Sequence, residues 1–459
     1  MNKLLKFFAL SALVLCIGSI GALAVEADPI IRAGLSYGSS AVESANLSYE
    51  NGTGYNIGYF NPDYSLASLF STNVKRITIS KTGSSNRFRI TNSDSGDVLY
   101  EYDNGGSPLG IETFTDDGTA PSTWHRNEIY YGAFSFSYAS GTNITVVNVA
   151  RVQDYVKGVV PYEINPKWAV EAQKTQALCA KNYAVANLNR HRSDGFDVCN
   201  TIHCQVYRGI REATDLSNGA VDAIYGQYIL YNNEIISAYY HSSNGGSTES
   251  AKNVWGTEVP YLQPVKDDYE NITAIPNGTW RREITLAEIT KVLQDKGETT
   301  SSIAEAYVEE FTPAGNVYKL TFVTTGGQKL SYTGEKARII LGSHTISQRY
   351  TISGSSSGYY TQSGPLSGGF ANTYAIGARG AIERITQQGS QLTIITSSGK
   401  KSGSEAAVSS SSTYVIEGRG YGHNVGMSQY GAKGMAEAGF TYDQIIKHYF
   451  TGVEIAHGN

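Results

Sequence analysis

Between Arg419 and Ala436 the chain reads RGYGHNVGMSQYGAKGMA, with Gly420, Gly422, Gly426, Gly431 and Gly434 set around a single histidine, His423. Glycines at this density mark backbone that is bent tightly or approached closely by something else. Alone, the stretch also fits a glycine-rich turn entering a helix. The rest of the chain has to decide what it serves.

At 459 residues the chain is longer than one average domain, so two or more are expected. Charged residues make up only 17% and the net charge is −5. No basic stripe points to nucleic acid, which is excluded as a partner, and no long like-charge block suggests a tail. Thirty-three tyrosines and 49 glycines suit a secreted, strand-rich and loop-rich protein. Tyrosine faces stack on sugar rings, but tyrosine is also an ordinary strand residue.

Lys3 and Lys6 precede an apolar run from Phe7 to Val25 that closes in Ala22-Leu23-Ala24 and Val25-Glu26-Ala27. This is the pattern of a secretory signal peptide over residues 1–27, cleaved after Ala24 or Ala27. The run is just long enough to span a bilayer, so an uncleaved anchor is the alternative and the only membrane contact expected. Leu15 before Cys16 argues against lipidation. The expected location is extracytoplasmic, secreted or attached to the cell wall. Cys179, Cys199 and Cys204 remain after the leader, too few and too odd for a disulfide framework.

Residues 28–124 read as short strands separated by Gly/Asn/Asp/Ser turns, at Ile30–Tyr37, Tyr55–Phe60, Arg76–Lys81, Arg87–Thr91 and Val98–Tyr102. Strands continue at Tyr130–Tyr138 and Asn143–Val149. A helix is then predicted from an Asn165 N-cap with Pro166 at its first position, running to about Leu188. A strand pair at Ala223–Tyr231 and Glu234–Tyr240 turns at Asn232-Asn233. Residues 286–295 read as helix, and Val317–Thr324 with Gln328–Tyr332 as a hairpin. Gly/Ser-rich stretches bracket an insert of about 354–412. Thr441 and Gln444 form a capping box for a last helix to about Phe450, stopped by Gly452. The fold class is α+β: a strand-rich N-terminal region of unassigned role, then an α+β domain over 125–455 that carries the insert.

Four polar clusters stand out. In GVVPYEINPKW, Glu163 sits among Val159, Val160, Pro161, Tyr162 and Ile164. Apolar surroundings would make its carboxyl hold a proton tightly, as a general acid must. A helix starting at Pro166 would pull the other way, and the residues alone leave that balance open. YYHSSNGGSTES follows a predicted strand and contains no Gly-x-Ser-x-Gly elbow. The opening stretch contributes His423, Ser428 and Gln429. In DVCNTIHCQVY, Cys199, His203 and Cys204 fall within six residues. They suit a zinc site with three protein ligands, completed by His191 or water, and equally a Cys199–Cys204 disulfide.

Taken in order, VQDYVKGVVPYEINPKWAVEAQKTQALCAKNYAVANL, CNTIHCQVYRG, AYYHSSNGGSTESAKNVW and GRGYGHNVGMSQYGAKGMA resemble the sporulation stage II protein D family, also called SpoIID/LytB. The likeness covers roughly residues 125 to 455, with the insert poorly matched. It implies either a lytic transglycosylase that cuts peptidoglycan glycan strands or a non-catalytic enhancer of a peptidoglycan amidase. It also implies that Glu163 is the catalytic acid/base. Lys174, Gln176, Tyr183, Gln205, His241, Ser242, Ser243, Gly245, Gly246, Glu249, His423, Gly426, Ser428 and Gln429 are implied as glycan-binding, and the glycine-rich stretch as lining the cleft. Clostridial members carry zinc at a Cys/His cluster, matched here by Cys199, His203 and Cys204. Two departures stand out: Lys181-Asn182 replace the family's usual Arg-Thr, and Cys179 replaces an alanine.

A transglycosylase needs one carboxyl, which protonates the glycosidic oxygen and then takes the proton of the sugar's own 6-hydroxyl, leaving a 1,6-anhydro-muramic acid end. No second carboxylate is required, unlike ordinary glycoside hydrolysis. A zinc-dependent peptidoglycan hydrolase is disfavoured, because no HExxH or other distributed ligand set is visible.

Overall fold

The computed structural model describes residues 26–83, 85–141, 143–354 and 413–459, together with the backbone of short strands between 359 and 402. The expected leader up to Ala24 lies outside the described residues.

Strand-and-turn alternation in the N-terminal third produces two sheets. Ile30–Ser36, Asn143–Arg151, Ala133–Ser140, Leu109–Phe114, Gly54–Phe60 and Leu66–Thr72 run side by side, with Val198–Cys199 added in parallel at the free edge of Ile30–Ser36. The second sheet orders Glu128–Tyr131, Ser122–His125, Ser44–Asn51, Arg76–Lys81, Arg87–Asn92 and Val98–Asp103. Period-two alternation turns Ile77 and Ile79, and Phe88 and Ile90, into one shared core. Aromatic contacts cross between the sheets, including His125 on Phe134 and Phe70 stacked on Tyr100 at 5.0 Å. Ile30–Ser36 is hydrogen-bonded to Asn143–Arg151, so residues on both sides of position 124 share one sheet and one core.

The strand Asn143–Arg151 is buried from Ile144 to Ala150 and leads without a loop into the helix Val152–Lys157. A single turn, Val160–Glu163, follows. Glu163 is thus placed by the most buried strand of the sandwich.

The predicted long helix exists, but it begins at Val170 and ends at Ala186. Asn165 does not cap it. Its side chain accepts from the Lys167 N–H in a local turn, the competing use of Asn that capping arguments overlook. Ala177, Ala180 and Ala184 face the sandwich core, while Leu178 and Cys179 face a second core with Ile229, Val425, Met427, Ile445 and Phe450. Cys179 therefore fills space, with its thiol 3.6 Å from the Met427 sulfur. Lys181 and Asn182 are also fully buried. Lys181 donates to the Ala27 carbonyl, and Asn182 brackets the backbone of Ile229.

The strand predicted over Ala223–Tyr231 begins only at Gln227, since Ala223 is the last residue of a helix, Asp215–Ala223, that the sequence reading missed. Its turn is as expected, with Asn232 and Asn233 both at positive φ. A third core surrounds Trp280, Ile284, Leu293, Leu320 and Ile416. Here Leu286–Asp295 is helical, and Val317–Thr324 pairs with Lys329–Thr333. Arg349–Gly354 and Thr413–Arg419 form an antiparallel pair from whose end the insert leaves. Within it three antiparallel strand pairs are described: Tyr359–Thr361 with Gly364–Leu366, Tyr374–Ile376 with Ile382–Arg384, and Thr393–Thr396 with Gly399–Ser402. Tyr442–Tyr449 is a helix behind its Thr441/Gln444 capping box, and the strand Glu454–His457 then pairs with Gln227–Tyr231.

Candidate active site

Glu163 forms part of the wall of two adjoining concavities. One, of about 530 Å³, is lined by Tyr183, Gln205, Val206, Tyr239, Trp255 and His423, among others. The other, of about 460 Å³, is lined by Tyr162, Trp168, Ser242, Gln429 and Tyr430. Each carries aromatic faces: Trp255 packs on Tyr239 and His423 on one side, and Trp168 on Tyr430 on the other.

The Glu163 carboxyl keeps one face toward this cleft and is crowded by protein on the others. Burial holds its pKa above the ordinary 4.5, against hydrogen bonds from the Tyr240 hydroxyl, the Val206 N–H and the Gln429 amide. The long helix starts at Val170 rather than Pro166, and burial outweighs the hydrogen bonds that favour the charged form. Tyr240 accepts from Gln205 Nε2 at 3.1 Å, which leaves its hydroxyl proton for Glu163. Gln205 is held in turn by the Tyr155 hydroxyl and the Ala180 carbonyl. Gln429 lies 3.5 Å from Glu163 Oε2 and 3.3 Å from Gln176 Oε1.

A second carboxylate, Glu335, lines the first concavity, but its oxygens are taken by Trp255 Nε1 and by Arg338. His241 and His423 both favour the neutral form. Burial drives His241 well down and holds His423 at about 4. His241 Nδ1 donates to the Val425 carbonyl, and His423 Nδ1 accepts from the Val425 N–H.

The glycine-rich stretch serves mainly the protein itself. Gly426 has φ +74, and a Cβ there would strike the Tyr239 carbonyl. A Cβ on Gly431 would strike the Tyr449 hydroxyl and Asp267. These glycines let the segment lie flat on the strand and helix behind it, so that His423 and Gln429 reach the cleft.

Glu270, which the sequence reading passed over, holds the site's two loops together. Its buried carboxylate accepts from the Ser243 hydroxyl, the Asn244 and Gly245 N–H groups and the Ser428 hydroxyl. Nothing in the surrounding KDDYEN singles it out, because its partners come from loops 26 and 158 residues away. Trp255, Tyr239 and Tyr240 were also passed over, although Tyr239 and Tyr240 directly precede His241.

Of the residues implied as glycan-binding, Tyr183, Gln205, Ser242, His423 and Gln429 line the concavities. Gln176 lies directly behind Gln429. Glu249 does not face the cleft. It is 1% exposed, and its oxygens take Ser250, Asn253, Thr312 and Asn316, tying the third core to the site. Ser243, Gly245 and Ser428 are buried, Gly246 sits in the same turn, and His241 and Gly426 lie beneath the cleft. Lys174 lines neither concavity and pairs with Glu171 at 2.7 Å.

Beside the first concavity, one donor atom each from His191, Cys199, His203 and Cys204 lies within 4.8 Å of all the others. Both sulfurs are 3.6 Å from His203 Nδ1 and the cysteines are not bonded to each other. Burial pushes Cys204 up to about 11. At Cys199 hydrogen bonds from Thr201, His203 and Cys204 outweigh burial and hold the thiol at about 6. Two sulfurs and two imidazoles at this separation are a donor set suited to a tetrahedral soft-to-borderline metal.

Glu163, on a helical turn, is thus faced by Gln429 of the Gly-rich stretch and by Ser242 of the His-Ser-Ser-Asn loop. Residues 140–231 match the family described as SpoIID, Stage II sporulation protein. Over that segment the chain is similar to the SpoIID family. It is 29% identical over 328 residues to the amidase enhancer of Bacillus subtilis (strain 168), covering 65% of this chain and 40% of that protein. It is 26% and 27% identical to the stage II sporulation proteins D of Bacillus subtilis and Bacillus amyloliquefaciens, covering 69% of this chain and 77% of each relative.

Proposed function

We propose that this chain acts outside the cytoplasm on the cell wall, as a lytic transglycosylase of peptidoglycan glycan strands. The observation that carries this reading is the position of Glu163, at the boundary of two aromatic-lined concavities, with its pKa raised by burial. A sugar on either side would set the bridging oxygen over that carboxyl. Protonated Glu163 gives its proton to the leaving glycosidic oxygen. The resulting carboxylate takes the proton of the 6-hydroxyl as that oxygen closes on the anomeric carbon, which forms a 1,6-anhydro end. Ordinary hydrolysis asks for a second free carboxylate. Among the described residues of the first concavity the other carboxylate, Glu335, is committed to Trp255 and Arg338.

His191, Cys199, His203 and Cys204 would hold a zinc ion. Such an ion supplies structural rigidity here, since four protein donors complete its shell. These residues pin the loop whose Gln205 and Val206 meet Tyr240 and Glu163.

The similarity to an amidase enhancer supports a second reading, in which the same cleft only holds glycan and the chain stimulates a peptidoglycan amidase. Mass spectrometry of denuded glycan strands incubated with the protein separates the two. Anhydro-ended fragments support the first reading, and intact strands with faster amidase turnover support the second.

A further inference from the structure

A concavity of about 220 Å³ opens over the seven-stranded sheet, in the strand-rich region that the cleft chemistry leaves without a role. Neither Glu163 nor any metal donor lines it. Val147 and Val149 contribute apolar surface, Ser135 stands on the neighbouring strand, and Tyr59, Phe60 and Tyr64 contribute aromatic surface.

The turn that joins Gly54–Phe60 to Leu66–Thr72 is tightly held. The Tyr64 N–H donates to the Asn61 carbonyl, and Asp63 accepts from both the N–H and the hydroxyl of Ser65. This turn sets Tyr64 at φ +62, a left-handed conformation that glycine or asparagine adopts readily and a bulky residue rarely does. Strain of this kind clusters where a side chain is held for a ligand. Within the protein the Tyr64 ring gains one contact, the Arg32 guanidinium 5.6 Å from its centroid. Its hydroxyl, like those of Tyr59, Ser107 and Ser135, has no hydrogen-bond partner among the described residues.

Charge narrows the class of ligand. The charged side chain in the lining is Arg32, whose Nε and Nη2 grip the buried Asp197 and whose Nη1 donates to the Gly195 carbonyl. All three of its side-chain nitrogens are thus engaged, and no carboxylate lines the concavity. An anion finds no free cation here, and a cation finds no counter-charge. What remains is aromatic and aliphatic surface edged by free hydroxyls, which suits a small uncharged molecule with apolar faces and a hydroxylated rim. A pyranose ring has that form. The volume lies below the ~300–1,000 Å³ of pockets for drug-sized ligands, so it suits one ring and not a strand.

We propose that this concavity binds one N-acetylglucosamine-type ring, a neutral sugar whose acetamido methyl suits the surface of Val147 and Val149. The N-terminal region would thereby have its own contact with the wall; that the sugar belongs to wall glycan rests on the reading above. Muramic acid does not suit the site, because its lactyl group ends in a carboxylate or a peptide.

The test is a fluorine NMR titration of the full chain labelled with fluorotyrosine, with the Tyr59 and Tyr64 resonances assigned from Tyr59→Phe and Tyr64→Phe. N-acetylglucosamine should shift both resonances along one saturating curve. Glucose, which lacks the acetamido group, should bind about tenfold more weakly, the fold-change that one hydrogen bond and one buried methyl supply. Tyr64→Gly should weaken binding, read at Tyr59, by about tenfold or more. Its urea midpoint should equal or exceed that of wild type, because glycine relieves left-handed backbone. Tyr64→Asn, which tolerates the same φ, should lose binding alike. Wild-type resonances that ignore N-acetylglucosamine, equal binding of glucose, or binding that survives Tyr64→Gly overturns the proposal. Saturable shifts at Tyr59 and Tyr64 in a protein that neither binds nor cuts glycan strands at Glu163 contradict the reading of that cleft and leave this site standing, since neither tyrosine lines it.

Discussion

Gln429 Nε2 lies 3.5 Å from Glu163 Oε2, bringing together two residues 266 positions apart in the chain. At that length the contact orients the carboxyl more than it stabilises its charge, and burial keeps the upper hand. Two measurable consequences come from the raised pKa.

The folded protein binds the Glu163 proton more tightly than the unfolded chain, whose carboxyl titrates near 4.5. Ionisation therefore costs the folded state nothing below that value, and the cost is complete above the raised folded pKa. Glu163→Gln carries no such cost. Its stability relative to wild type should rise with pH across that window and then level off, as read from urea midpoints. Cleavage by wild type should decline on the alkaline side of the same pKa, where the acid form is lost. A stability difference that stays flat with pH contradicts the raised pKa.

Glu270→Gln tests the clamp under the cleft. The amide group it introduces would face N–H or O–H donors in place of an acceptor. A buried donor left without a partner costs about 1–3 kcal/mol. A fall of that order in unfolding free energy is expected, together with slower glycan cleavage, since Ser242 and Gln429 sit on the loops it joins. Unchanged stability would show that the four hydrogen bonds do not hold those loops.

Metal analysis of protein purified without added zinc should find about one zinc per chain. Cys204→Ser should then lower both stability and activity, because binding energy at a structural site is folding energy. A metal-free protein with a Cys199–Cys204 disulfide contradicts this.

The two possible leader cleavage sites are separated by the contacts of residues 26–27. The Glu26 carbonyl accepts from Tyr228, and the Ala27 carbonyl from the buried Lys181, whose pKa burial lowers to about 8. Cleavage after Ala27 would remove both acceptors. N-terminal sequencing of the exported protein should read Val25, and a start at Asp28 or an intact Met1 contradicts this.

Local signals in the sequence were legible where the chemistry was local. Leu286–Asp295 and Tyr442–Tyr449 sit behind capping boxes at Thr285/Glu288 and Thr441/Gln444. The long helix start was misplaced because Asn165 and Pro166 serve a turn as readily as a cap. The helix Asp215–Ala223 was missed because only Ser217, Ala220 and Val221 of its nine residues are buried, a short apolar stripe interrupted by Gly219. Glu163 was legible as a carboxyl among apolar neighbours. Glu270 and the Trp255–Glu335 pair were not, because their roles depend on partners distant in the chain.

In the proposed mechanism one carboxyl, Glu163, gives and then takes the proton in strand cleavage. The most direct measurement is the rate at which wild type and Glu163→Gln release anhydro-ended fragments from denuded glycan strands, with strand binding measured in parallel. General acid/base help is worth ~10²–10⁴-fold. A loss of that size is expected for Glu163→Gln, with binding nearly unchanged. A variant that cuts as fast as wild type would contradict it.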